Sequence, residues 1–180
     1  MTMRYNAAII TSLNHYNLIM VKAIPEGYHS ITPYLMVNNA SAAIDFYRRA
    51  FGARETYRHS SPDGKSIVNA ELRIGDSIVL LSDEFPHGAC LSPKSIGGTA
   101  VTLHIYIEDV DKIFNQAVKA GATVVMPVMD MFWGDRYGQV RDPFGHIWSI
   151  ATHKQDLSQE EIQKAGESVL KEMMDSQKLG

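Results

Sequence analysis

The sequence predicts an α+β fold: two paired βαβββ modules with antiparallel-rich mixed sheets, followed by a C-terminal helix. Three observations carry this. The order strand, helix, strand, hairpin occurs twice, over about residues 30–83 and again over about 100–153. The two copies can be laid over one another: Ile31–Val37 matches Val101–Ile107, the trio Ile44, Tyr47 and Ala50 matches Phe114, Ala117 and Ala120, and, with one residue dropped, Gly52-Ala53 matches Gly121-Ala122. The 180 residues suffice for one domain with a real core, or for two small halves that share one.

Each element of the first module has a local cause. Ser30–Val37 (SITPYLMV) is the first strand, and Asn38-Asn39 a turn. Ser41 is placed to cap a helix over Ala42–Phe51, with Ile44, Tyr47 and Phe51 on one face and Gly52 as its stop. Glu55–Ser60 is a strand, and Ser61-Pro62-Asp63-Gly64 a turn cluster. Ser66–Ile74 and Ser77–Ser82 form a hairpin across Gly75-Asp76, a pair suited to a two-residue primed turn. That turn sets Ile74 opposite Ser77, Glu71 opposite Leu80 and Asn69 opposite Ser82. Asp83–Gly98, with Pro86 and Pro93, reads as a long loop of the kind that is often functional or mobile.

The pattern then restarts. Ala100–Ile107 is a strand, Asp109 caps a helix over Val110–Ala120, Gly121 stops it, and Ala122–Pro127 is a strand. Trp133–Arg141 and His146–His153 form a hairpin around Asp142-Pro143-Phe144-Gly145. Ser158 with Glu161 three residues on is a capping box for a tail helix reaching Met174, with Ile162, Ala165, Val169 and Met173 as its apolar stripe. Residues 1–27 are expected to be a flexible leader, with Met20 as a candidate start; the alternative is an extra strand or helix at a subunit contact. The organisation is thus leader 1–27, domain 28–155, and helix and tail 156–180.

Composition excludes several function classes. Seventeen Lys and Arg against 20 Asp and Glu give a net charge of −3, without the clustered basic excess of a nucleic-acid surface. No apolar run approaches the roughly 18 residues of a membrane span. The short apolar stretch Ala7–Leu13 is broken by Thr11 and Ser12 and lacks a clean cleavage site, so no secretory signal is expected. A single cysteine, Cys90, rules out an internal disulfide and suits a reducing, cytoplasmic setting.

Two local marks go further: AAIDFYRRAFG at Ala42–Gly52, and DPFG at Asp142–Gly145 ahead of the final strand. With the module order, they make the chain resemble the vicinal oxygen chelate superfamily, the glyoxalase/bleomycin-resistance proteins, from about Ile31 to His153. The stretch FWGDRYGQVRDPFGHIWSIATH is similar to the PhnB-like branch. The resemblance implies a homodimer and a cleft that in many relatives holds a divalent metal. Ligands in such relatives are His, Gln or Glu, near the start of each module's first strand and in its last strand. Those positions fall here on Thr32, Leu80, Thr102 and Ser149, none a usual side-chain ligand. A slip of two residues brings in Tyr34, His104 or Ser82, which adds one good ligand. No cofactor is therefore expected at the usual positions, and neither glyoxalase I nor extradiol dioxygenase activity is supported, since both use a metal. A nonstandard divalent site remains open.

Strand alternation nominates what lines the cleft. Glu71 stands beside the Leu80 position, as a base or a partner for a cationic ligand, or simply as a strand carboxylate paired with Arg73. His104 shares a face with Thr102 and Tyr106, as a lone ligand, an acid–base group or a hydrogen-bonded interior histidine. In Trp133-Gly134-Asp135-Arg136-Tyr137-Gly138, the rings of Trp133 and Tyr137 offer flat surfaces and Arg136 an anion clamp. The alternative there is an edge hairpin at a dimer contact, with Asp135 and Arg136 paired. Tyr34, Ser149 and His153 complete the lining, while His146 reads as a turn residue, Trp148 as core or interface, and Cys90 as an ordinary loop thiol. No catalytic residue is assigned. The leading expectation is a small-molecule binding protein. The alternatives are a lyase, isomerase or other enzyme with a nonstandard metal site on His104 and Glu71, and an interaction module whose cleft is filled by residues 84–98 or by the leader.

Overall fold

In the computed structural model, residues 21–85, 88 and 90–177 are described. The first module runs β1 (Tyr34–Val37), α1 (Ala40–Phe51), β2 (Arg54–Ser60), β3 (Ile67–Ile74) and β4 (Ser77–Asp83). A short helix α2 (Pro93–Ile96) precedes the second module of β5 (Thr102–Tyr106), α3 (Val110–Ala120), β6 (Thr123–Asp130), β7 (Asp135–Arg141) and β8 (Ile147–His153), and α4 (Gln159–Gln177) ends the fold. Each module makes one four-stranded sheet, in the orders β1-β4-β3-β2 and β5-β8-β7-β6. Within each, the first and last strands pair parallel and the rest antiparallel. This is the α+β architecture of two βαβββ modules.

Several local expectations are corrected. Asn39, not Ser41, caps α1: its side chain accepts from the Ala42 N–H at 3.0 Å, so the helix opens at Ala40. β1 begins only at Tyr34, after Pro33, which has no N–H to give a ladder. β6 continues through Pro127 to Asp130, because it is an edge strand and its outward N–H groups need no partner. The β3–β4 hairpin keeps Ile74 opposite Ser77 and Glu71 opposite Leu80, but the ladder closes at Ala70–Leu81 and excludes the expected Asn69–Ser82 pair. There the Asp83 carboxylate takes over, accepting from the Ile67 and Ala40 N–H groups at 2.8 and 2.7 Å. The loop after β4 contains α2. Residues 1–20 of the expected leader lie outside the described residues, as does the side chain of Met173 in the tail stripe.

One core serves both modules. α1 buries Ala43, Ile44, Phe46, Tyr47, Ala50 and Phe51, and α3 lies beside it. Trp148 of β8 packs between Tyr47 and Phe51, with ring centroids 5.4 and 4.7 Å away. The Tyr47 hydroxyl donates to the buried Asp142 carboxylate at 2.7 Å, and the same Oδ2 accepts from the Trp148 indole at 2.9 Å. The Gln116 amide of α3 donates to the Arg49 and Ala50 carbonyls at the end of α1, at 2.8 and 3.1 Å. Each sheet thus spends one face on this core, through Val37, Ala70, Leu72 and Leu81 in the first and Val140, Trp148 and Ile150 in the second. The opposite faces are left for other work. No helix among the described residues is long and apolar enough to cross a membrane.

Candidate functional site

The open face of the second sheet gathers the greater part of the predicted lining. β8 lies between β5 and β7, and its Ser149 sits level with His104 on one side and Gln139 on the other. Its Ala151 sits level with Tyr106 and Tyr137 in the same way. A floor of small side chains is therefore bordered by two rows of large ones. The His104 Nδ1 lies 2.8 Å from the Ser149 Oγ, and the imidazole stacks with Tyr137 (5.9 Å, 22°) and meets Tyr106 edge-on (4.6 Å). Gln139 donates to the Tyr137 hydroxyl at 2.6 Å, and Trp133 stands edge-on to Tyr137 at 5.7 Å. Tyr106 is 62 % exposed, so this aromatic wall is open.

Beneath the wall lies Asp135, which is only 4 % exposed. Its Oδ2 accepts from the Tyr106 hydroxyl at 2.9 Å and from the Trp133 indole at 3.0 Å, and its Oδ1 lies 2.8 Å from the Nδ1 of His153. Burial by itself would push this carboxyl up, but the donors His153, Tyr106 and Trp133, with the charge of His153, outweigh it and hold the pKa below its ordinary value. The same bond, followed by burial, raises the Tyr106 phenol. His153 is raised by its contacts with Asp156 first and Asp135 second.

Arg136 is not on this face. Alternation turns it to the helix side, where its guanidinium binds both oxygens of Asp111 on α3, at 2.6 and 2.7 Å, and Asp130 at 3.1 Å. Held by two carboxylates, it has no fork left for an anion, and Asp135 is not its partner. Glu71 and Tyr34 lie on the first sheet, apart from His104. Burial first, then the nearby Glu71 carboxylate, raise the Tyr28 phenol. Tyr34 is 47 % exposed, with its hydroxyl 3.4 Å from the Val68 carbonyl. A groove of about 820 Å³ follows the outer edge of β5, lined among others by His104, Ile105, Ile78 and Trp148. Sequence reasoning missed Asp135 and Gln139 as site residues.

Across the parallel pairs that join the first and last strand of each module, Tyr34 lies level with Leu80 and His104 with Ser149. A phenol, an aliphatic side chain, one imidazole and a hydroxyl do not fit a divalent ion. Among the described residues, no group of three His, Cys, Asp or Glu side chains is placed to hold one elsewhere.

Comparison with known proteins agrees with the fold. Residues 14–150 match the model of the Glyoxalase/Bleomycin resistance protein/Dioxygenase superfamily. The chain belongs to that superfamily. It is 47 % identical over 139 residues to an uncharacterized protein of Mycobacterium bovis, covering 76 % of this chain and 91 % of that one. TioX from Micromonospora sp. ML1 is 30 % identical, with a TM-score of 0.56 over 68 % of this chain and 97 % of its own. The fosfomycin resistance protein FosX of Listeria monocytogenes is 16 % identical, with a TM-score of 0.55 over 74 % and 97 %, a likeness of fold alone.

Proposed function

We propose that this protein is a cytosolic small-molecule binding protein of the bleomycin-resistance kind, holding a planar aromatic or cationic compound without a metal, and working as a homodimer. The observation that carries the reading is the open wall of Tyr106, His104, Tyr137 and Trp133, standing on the buried Asp135 carboxylate. Ring faces bind planar groups by stacking and cations through the ring quadrupole. The Tyr106 hydroxyl and the Trp133 indole already donate to Asp135, and the Tyr137 hydroxyl accepts from Gln139, so these rings are set in place before a ligand arrives, which reduces the ordering cost of binding. The exposed aromatics of the first sheet, Tyr34 and Tyr57 at 47 and 48 %, are the natural counterpart for this wall in a second copy.

The test is a titration with planar aromatic cations, N-methylquinolinium among them, read by tryptophan fluorescence and by thermal stabilisation. A binding compound should lose about tenfold in affinity in Tyr137→Ala, the size of one stacking contact. Arg136→Ala should leave the affinity unchanged. A panel that neither shifts the melting temperature nor quenches tryptophan would sink the reading.

A further inference from the structure

Both ring nitrogens of His153 face a carboxylate. Nδ1 lies 2.8 Å from Asp135 Oδ1, and Nε2 lies 3.0 Å from Asp156 Oδ1. A neutral imidazole carries one N–H; only the imidazolium donates from both nitrogens. The bridge is therefore complete in one protonation state alone. The two acceptors differ sharply in environment: Asp135 is buried on β7, and Asp156 is fully exposed just ahead of α4. When the proton leaves, the buried carboxylate keeps the remaining N–H, because an unpaired buried charge is costly while an exposed one is rehydrated. Asp156 is the contact that goes.

The chain around it shows what that contact holds. Lys154 and Gln155 both donate their N–H groups to the Gly134 carbonyl, at 2.9 and 3.0 Å, so the backbone is fixed up to Gln155. The Asp156 bridge is the next tie along the chain. Beyond it α4 carries its own cap, the reciprocal Ser158–Glu161 pair, and lays Gly166 against the ring of Phe132.

We propose that His153 is a proton-operated clasp that fastens the C-terminal helix to the aromatic wall, through Asp135 on one side and Asp156 on the other. The charged and titratable groups about the ring are Asp135 on β7, Asp156 before α4 and, through Asp135, Tyr106 on β5. The direction follows from the sign: a histidine raised in the folded state holds its bridge below its ordinary pKa and releases it as pH climbs through the raised value. The clasp requires no ligand and stands or falls independently of the binding reading.

The experiment is amide hydrogen exchange on the full chain, corrected for intrinsic rates, from below the ordinary histidine range to well above it. Peptides covering 157–169 should lose protection severalfold as His153 titrates, while α3 peptides stay constant. Asp156→Ala, a change at an exposed side chain, should abolish the pH dependence, hold 157–169 at its high-pH level and return the His153 pKa toward normal. His153→Ala should give the same flat profile. Equal protection on both sides of the titration, a pH step that survives Asp156→Ala, or a loss shared with α3 would each overturn the clasp.

Discussion

The Asp142 carboxylate accepts four hydrogen bonds inside the protein: from the Tyr47 hydroxyl, the Trp148 indole and the N–H groups of Phe144 and His146, all between 2.7 and 3.0 Å. Tyr47→Phe keeps the ring packing and removes one donor, so the buried carboxylate loses part of its compensation. We expect a loss of about 1–3 kcal/mol, seen as a lower urea midpoint at unchanged slope. An unchanged midpoint would mean that Oδ2 is satisfied by Trp148 alone. Nothing local in the sequence announces this bond, because its partners are 95 positions apart, and Asp142 read only as a turn residue. The site divides in the same way. Alternation places Thr102, His104 and Tyr106 on one face of their strand, and Ser149 and His153 on one face of theirs, since it needs only the strand itself. In 133–138 the two glycines, Gly134 and Gly138, disguise a strand that begins only at Asp135, so the sequence groups Arg136 with the very side chains from which it points away. Its true partner, Asp111, is on a helix whose docking no short-range rule gives.

The elements that were legible are those with local causes. Asp109, the capping box at Ser158 and the stops at Gly52 and Gly121 all act within a turn of chain, and the structure has them where the sequence set them. The ends of β1 and β6 depend on which neighbour each strand finds, so they moved. The junction before β7 is set by packing as well. Gly134 has φ +96°, and a Cβ on it would collide with the Gln155 carbonyl, whereas a Cβ on Gly52, also left-handed at φ +66°, would meet open space. Gly52→Ala should therefore cost about 1–2 kcal/mol from backbone conformation alone. Gly134→Ala should lower the melting temperature further and expose the chain near Gln155 to limited proteolysis. Equal melting shifts for the two variants would show that the close approach to Gln155 adds nothing.

At the scale of the molecule, both sheets end, among the described residues, in strands with an unpaired side, and the faces turned from the core carry large exposed side chains. Those are the surfaces the proposed dimer covers. Light scattering after size exclusion should give twice the chain mass at micromolar concentration; a single-chain mass would remove the homodimer from the proposal. The overall architecture was legible from the repeat, because module order survives when individual residues do not. How the halves would meet was not, since Tyr47, Phe51 and Trp148 each look like ordinary core residues until they are found packed together. That meeting has a consequence for ancestry. If the halves descend from one duplicated unit, neither can now return to independence: each would emerge from the ribosome with its aromatic seam open to water. A nick in the segment that joins them would for the same reason be silent, leaving two fragments that travel together as one body until a denaturant parts them.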